Sequence, residues 1–298
     1  MGSILGLDLG GTAIKSGVLS DSSQFIDTRN NPTPQNDPSG IAAAEALAEI
    51  VLDYKETHKL DAVGLVIPGL VDSERGISVF SGTLGWRNFA IVDEVEKRTG
   101  IRTYLEHDVT AAGIAELRLG ASREFNDSIL IQIGTGIAAA YVLNKKIFKP
   151  HSQMGEFGHA PIFNDRPCPC GLNGCLEMTA SGGALSRNYA ALTGEKISPL
   201  EIVERAKSGE RQASDLWHEF GEAMAFGIAW LASTTGPEAV ILGGGIAKAG
   251  AELIEVIEKG LQHRLSIHLK PKLVISELDD KAAAIGSAFS AKDRYLAS

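Results

Sequence analysis

The three cysteines of the chain, Cys168, Cys170 and Cys175, fall within one eight-residue stretch. An odd, clustered set is a poor disulfide framework and a good set of metal ligands. With His159 upstream they offer one imidazole nitrogen and three thiolates, the donor set of a closed tetrahedral zinc site. Such a site has no open coordination position, so its expected role is structural. The plainer alternative is a cysteine-containing loop with no ion. Elsewhere stand three glycine-rich stretches, Gly10-Gly11-Thr12, Gly134-Thr135-Gly136 and Gly243-Gly244-Gly245. Glycine permits positive φ and lets backbone N–H groups come close to an anion or a flat ligand, although each stretch could equally be a tight turn. Asp108 ends an apolar run and precedes a helical one, where a carboxylate can serve as a base or cap the helix. Glu156 and His159 are three residues apart and share a side if the segment is helical or tightly turned.

Short apolar runs between turn-forming residues must position these groups. Residues 4–8 predict a strand that turns through Gly10-Gly11-Thr12 into a second strand at 15–19, a hairpin. Residues 31–39, rich in Pro, Asn and Asp, predict a loop. Ser39 is placed to cap the next helix, whose apolar face is marked by Ile41, Leu47, Ile50 and Val51. A buried-type strand at 62–67 ends at Pro68-Gly69, and a helix at 91–99 stops at Gly100. A strand at 103–106 leads through His107-Asp108 into a helix at 109–119. A second cycle begins with a strand at 128–133, the turn at 134–136 and a strand at 137–143. Ser198-Pro199-Leu200-Glu201 reads as a capping box with Pro at the first helical position. Residues 213–235 are helical in pattern. A strand at 239–242 precedes the third glycine stretch and a helix to about 261, and a strand at 273–275 and a helix at 281–297 follow.

Strands alternating with helices predict an α/β fold. The order strand, glycine turn, strand occurs twice, about 125 residues apart, which predicts two similar halves. The expected boundary lies near 109–119. It divides an N-terminal domain, 1–110, from a C-terminal domain, 111–298, that carries the cysteine loop, with the last helix, 281–297, packing back on the first domain.

At 44% hydrophobic residues, 298 residues suit one large or two medium cores. The net charge of −9, with no basic stripe, argues against a nucleic-acid partner. Lys145, Lys146, Lys149, Lys270 and Lys272 read as loop and strand flanks. No apolar run reaches the roughly 20 residues of a membrane span, and the opening residues do not read as a signal peptide. The expectation is a cytoplasmic protein with no membrane partner.

Taken in order, the motifs resemble the ROK family (repressors, open reading frames and sugar kinases) of the actin-like ATPase superfamily, over nearly the whole chain. They are Asp8-x-Gly10-Gly11-Thr12-x-x-Lys15, Pro68-Gly69, Asp108 after a strand, Gly134-Thr135-Gly136 and Glu156-x-x-His159. Cys168-x-Cys170-Gly171-x-x-Gly174-Cys175-x-Glu177 and Gly243-Gly244-Gly245 close the series. The resemblance implies a two-domain actin-like (ribonuclease H-like) fold with a cleft between domains. It implies a kinase that uses ATP and Mg²⁺, with a structural Zn²⁺. By the same resemblance Gly10, Gly11, Thr12, Gly134, Thr135 and Gly136 face the ATP phosphates, and Gly243, Gly244 and Gly245 the adenine and ribose. Asp8 holds Mg²⁺ through water, and Lys15 either offsets phosphate charge or is a solvated strand residue. Asp108 is the implied catalytic base. N–H donation to its carboxylate would weaken it as a base, but a loose phosphoryl-transfer transition state puts more weight on position than on basicity. Gly69, His107, Asp108, Glu156, His159 and Glu177 are the implied sugar-binding residues. One nitrogen of His159 would bind zinc and leave the other for a sugar hydroxyl. The family commonly forms dimers, so a homodimer is a further expectation.

The chain departs from the family where the sugar ring is read. His107 stands where Asn usually precedes the catalytic Asp, and the stretch before Trp86 reads Ser81-Gly82-Thr83-Leu84-Gly85 without the common Asn. Ala138 and Ala139 follow the second turn where glycine is common. The leading expectation is phosphorylation of the 6-hydroxyl of glucose or a related hexose. The alternatives are an N-acetylmannosamine or N-acetylglucosamine kinase, a non-catalytic sugar sensor, and a sugar-responsive repressor. With a strand expected from residue 4 and an acidic net charge, the helix-turn-helix that such a repressor carries is not expected here. Polyphosphate could replace ATP in this family, but the chain lacks a concentrated basic track.

Overall fold

The computed structural model describes residues 2–151 and 154–298. Its strands are β1 (Ser3–Leu9), β2 (Ala13–Leu19), β3 (Phe25–Pro32), β4 (Leu60–Ile67), β5 (Leu70–Asp72), β6 (Ile77–Ser81) and β7 (Trp86–Phe89). They continue as β8 (Thr103–His107), β9 (Ser128–Ile133), β10 (Ile137–Leu143), β11 (Lys146–Phe148), β12 (Ala239–Gly243) and β13 (Lys272–Ile275). The helices are α1 (Ile41–Thr57), α2 (Ile91–Thr99), α3 (Asp108–Arg118), α4 (Glu177–Ala180) and α5 (Gly182–Thr193). They end with α6 (Pro199–Lys207), α7 (Arg211–Thr235), α8 (Ala251–Leu261) and α9 (Ala282–Ala297). Among the described residues no helix is long and apolar enough to cross a membrane.

The chain forms two compact units. The first comprises Met1–Leu119, Lys149–Met154 and Lys281–Ser298, and the second Gly120–Phe148 and Gly155–Asp280. In the first, the sheet order is β3-β2-β1-β4-β8, with β1, β4 and β8 parallel and β2 antiparallel to its neighbours. A small antiparallel sheet, β5-β6-β7, belongs to the same unit. In the second, β11-β10-β9-β12-β13 repeats the same pattern of parallel and antiparallel pairs.

The central strands are mostly apolar because both faces of each sheet are covered. In the first unit Leu5, Leu7, Val63, Leu65 and Leu105 meet Leu47, Val51 and Tyr54 of α1 and Val95 of α2. The opposite face takes α9, which approaches so closely that a Cβ on Gly286 would lie 1.7 Å from the Ala111 carbonyl oxygen of α3. The second core joins Ile129, Ile131, Val240 and Leu242 to Phe220, Met224 and Ile228 of α7 and Leu253 and Ile257 of α8.

Two local expectations need correction. Ser39 caps α1 only in part: its Oγ accepts the Ile41 N–H at 3.3 Å, but it does not hold the capping position itself. That position is Gly40 in the left-handed region, and Asp37 Oδ2 accepts the Ala43 N–H at 2.9 Å. At α6 only half of the capping box forms: Ser198 Oγ accepts the Glu201 N–H at 3.2 Å, while the Glu201 carboxylate turns to Arg205.

Candidate functional site

In the first unit, register brings the predicted residues to one edge of the sheet. Asp8 pairs with Val66, Val66 with Glu106 and Ile67 with His107, so the carboxyl ends of β1, β4 and β8 come out together. Loops beyond the carboxyl ends of parallel strands are where α/β sheets place their ligands. Asp8 and Lys15 sit opposite each other on β1 and β2. Gly69 follows β4 with φ 99°, and a Cβ there would lie 2.3 Å from the Phe80 carbonyl oxygen.

Gly10-Gly11-Thr12 closes the β1–β2 hairpin through Gly10 N–H to Ala13 C=O at 2.9 Å. All three carbonyls of this turn are tied from one side. Thr33 Oγ1 donates to Gly10 O at 2.7 Å, Gln35 Nε2 to Gly11 O at 2.9 Å and the Thr33 N–H to Thr12 O at 3.1 Å. Among the described residues the Gly11 and Thr12 N–H groups take no partner. A turn with its acceptors occupied and its donors open is suited to an anion.

Asp108 is the first residue of α3, and the residue at the capping position is His107, whose side chain makes no cap bond. Asp108 Oδ1 accepts the Val109 N–H at 2.8 Å and lies 3.3 Å from His107 Nε2. Its side chain is 34% exposed, whereas that of His107 is 6% exposed. Among the described residues Asp108 Oδ2 has no partner. One oxygen is therefore held from behind and the other is available. Here the larger imidazole that replaces the family's Asn backs the carboxylate.

The second unit repeats the turn by other means. Gly134 N–H bonds Gly136 O at 2.9 Å, and Gly134 O accepts N–H groups from Gly182 at 2.9 Å and Gly183 at 3.3 Å, at the start of α5. The Thr135 and Gly136 N–H groups have no partner among the described residues. Glu177 Oε2 accepts the Ile137 N–H at 3.0 Å and would lie 2.3 Å from a Cβ on Gly136. Gly244, with φ 84°, passes against the Ile133 backbone at the root of this turn, while a Cβ on Gly245 would meet nothing within 4 Å.

His159, Cys168, Cys170 and Cys175 come together, their ligand atoms all within 4.8 Å of one another. Cys168 Sγ is 3.6 Å from His159 Nδ1, and Cys170 Sγ is 3.6 Å from Cys175 Sγ. Thiolates around tetrahedral zinc stand about 3.8 Å apart, given Zn–S bonds near 2.3 Å, so the donor set and spacing fit this ion. The loop is preformed: Cys168 N–H bonds Leu172 O, and Gly171 and Gly174 take positive φ at its bends. Burial, with the neighbouring thiols, pushes the Cys175 thiol up to about 12, whereas the Leu172 N–H lowers Cys170. The other imidazole nitrogen, Nε2, turns toward Glu156 Oε2 at 3.9 Å.

A cavity of about 550 Å³ lies wholly in the first unit. Gly11, Thr33, Asn36, Asp37, Thr83 and Trp86 are among its lining, and no lysine or arginine is. The Trp86 indole N–H is anchored on the Asp37 carbonyl at 2.8 Å. Thr33, Gln35, Gly182 and Gly183 are absent from the sequence reading because only tertiary structure brings them to the turns. Lys149, read there as a loop flank, is in fact paired with Glu106 beside His107, and its side chain is only 19% exposed.

A family model described as "ROK family" matches residues 4–294. The chain is 30% identical to a glucokinase of Streptomyces coelicolor, over 98% of each chain. It is also 30% identical to an N-acetylmannosamine kinase of Vibrio vulnificus, over 98% of this chain and 99% of that one. Among solved structures, a ROK family glucokinase from Streptomyces griseus in complex with glucose and AMPPNP superposes with a TM-score of 0.85. It is 30% identical, with 98% of this chain and 99% of that chain covered.

Proposed function

The chain belongs to the ROK family, with its actin-like α/β fold, and is an ATP-dependent sugar kinase; we propose that its acceptor is the 6-hydroxyl of glucose or a related hexose and that Asp108 is the general base. The observation that carries this reading is the half-exposed Asp108 carboxylate, with Oδ1 fixed by Val109 N–H and His107 and Oδ2 available. A sugar hydroxyl on Oδ2 would be aligned for in-line attack and could give up its proton as the bond to phosphorus forms.

In this reading the open amides of Gly11, Thr12, Thr135 and Gly136 receive phosphate oxygens, and Gly243-Gly244-Gly245 takes the adenosine. Asp8 would hold Mg²⁺ through water, and the ion would neutralise charge on the transferred group. Lys15, opposite Asp8, would add to that neutralisation. Zn²⁺ on His159, Cys168, Cys170 and Cys175 would fix the imidazole so that Nε2, with Glu156, addresses sugar hydroxyls. Gly69, His107 and Glu177 complete the proposed sugar contacts. Glu177 also braces the second turn through Ile137.

An N-acetylhexosamine acceptor is the second reading. The N-acetylmannosamine kinase relative and the polar cavity beside Thr83, with no lysine or arginine in its lining, favour it. The test is ADP release with glucose, mannose, N-acetylglucosamine and N-acetylmannosamine at matched concentrations. The expected result is the highest kcat/KM with glucose or mannose. A preference for an N-acetyl sugar selects the second reading, and sugar binding without ADP release with any of the four overturns both in favour of a sensor.

A further inference from the structure

The segment Lys149–Met154 belongs to the first unit, although the chain up to Phe148 and from Gly155 belongs to the second. Its first residue reaches Glu106 on β8: Lys149 Nζ donates to Glu106 Oε1 and, at 3.3 Å, to Ser73 Oγ. The two charged side chains are only 19% and 12% exposed, so the pair is largely withdrawn from water. The same Glu106 oxygen accepts the Ser73 hydroxyl at 3.3 Å and the His107 N–H at 2.8 Å. That N–H belongs to the residue whose ring lies 3.3 Å from Asp108 Oδ1. Ser73 is held in turn, since Arg294 of α9 donates to its carbonyl at 3.1 Å and to the Leu105 carbonyl at 3.2 Å.

We infer that Lys149 is a positioning residue for phosphoryl transfer. It fixes the Glu106 carboxylate, Glu106 fixes the His107 amide at the strand-to-helix corner, and the His107 ring then holds Asp108 Oδ1 so that Oδ2 meets the acceptor. The inference rests on the reading of Asp108 as the base. A purely structural ion pair would need only charge balance. A positioning pair needs a cationic donor at this one place, because the Glu106 oxygen must stay aimed at the His107 N–H.

Lys149→Met, Lys149→Arg and Glu106→Gln/Lys149→Met separate the two. The Lys149→Met variant should lose on the order of 10–100-fold in kcat with sugar KM nearly unchanged, since misplacement near the reacting groups acts on the transition state. Lys149→Arg, which keeps a cationic donor, should recover most of that loss. The double variant removes both buried charges, so its melting temperature should recover while kcat stays low. Recovery of kcat in the double variant, or a kcat for Lys149→Met equal to wild type, overturns the inference.

Amide exchange at His107 reads the same corner without turnover. It should quicken in Lys149→Met and return toward wild type in Lys149→Arg; unchanged exchange overturns the inference even if kcat falls. If wild type phosphorylates no sugar, the kinase reading fails, and the exchange result alone decides whether Lys149 sets the corner.

Discussion

The walk β3-β2-β1-β4-β8 through the first sheet and β11-β10-β9-β12-β13 through the second visit equivalent strands in the same order. The loops after matching strands differ in kind. After the first strand stand Gly10-Gly11-Thr12 and Gly134-Thr135-Gly136. After the fourth stand Pro68-Gly69 and Gly243-Gly244-Gly245. After the fifth stand His107-Asp108 and Ser276. Where the loops are alike, in the two first turns, both units present open amides. Where they differ, the first unit supplies Pro68-Gly69 and the Asp108 carboxylate, and the second a glycine run. Topology decides where a loop emerges, and the residues placed there decide which chemical groups it presents.

Removing the Asp108 carboxylate should have the largest effect. Asp108→Asn keeps an acceptor for Val109 N–H but loses the base, and kcat should fall by about 10²–10⁴. Calorimetry should find the sugar dissociation constant within about threefold of wild type, as expected for a group that acts in the transition state. Equal losses in sugar affinity and kcat would make Asp108 a binding residue and erase the contrast with Ser276.

The cluster of His159, Cys168, Cys170 and Cys175 in the second unit sharpens the contrast from the other side. Cys170→Ser, or removal of zinc by a chelator, should raise sugar KM by about 10–100-fold, because a metal orders the imidazole and its Glu156 neighbour. ATP KM should move less, since the second turn is reached only indirectly, through Glu177. Elemental analysis must find zinc in wild type. A zinc-free protein with unchanged sugar KM would reduce the cluster to a structural staple.

The most legible parts of the chain are those whose local pattern and final environment agree. The strands at 4–8, 62–67, 128–133 and 239–242 are mostly apolar runs, and they become the buried centres of the two sheets. The outer strand β3, Phe-Ile-Asp-Thr-Arg-Asn-Asn-Pro, is half polar and mostly exposed, and its ladder comes from β2 rather than from its own pattern. The three strands β5 to β7 are three to five residues long, too short to show a period. In the site, glycine turns, clustered cysteines and Asp108 carry their chemistry in residue type and are visible directly. Thr33, Gln35, Gly183 and Lys149 act through contacts made at a distance in sequence, which no local window contains.

The smallest expected effects compare the two turns themselves. In the first, side chains tie the carbonyls; in the second, backbone amides of α5 do. Thr33→Val preserves shape and removes the Oγ1 bond to Gly10 O. A hydrogen bond of this kind is worth about 1 kcal/mol net, so ATP KM should rise about fivefold. Gly183→Ala places a Cβ 2.4 Å from the Thr135 carbonyl oxygen, and the turn must shift, which should raise ATP KM about tenfold. The same change should not unfold the second unit, because replacing Gly by Ala within a helix favours it by up to about 1 kcal/mol. Melting temperature should therefore hold in Gly183→Ala while ATP KM rises, whereas in Thr33→Val it should fall as ATP KM rises, because a part-buried carbonyl is left without its donor. Should Thr33→Val weaken ATP more than Gly183→Ala, the first turn would be the dominant phosphate grip and the two turns would not be equivalent in function.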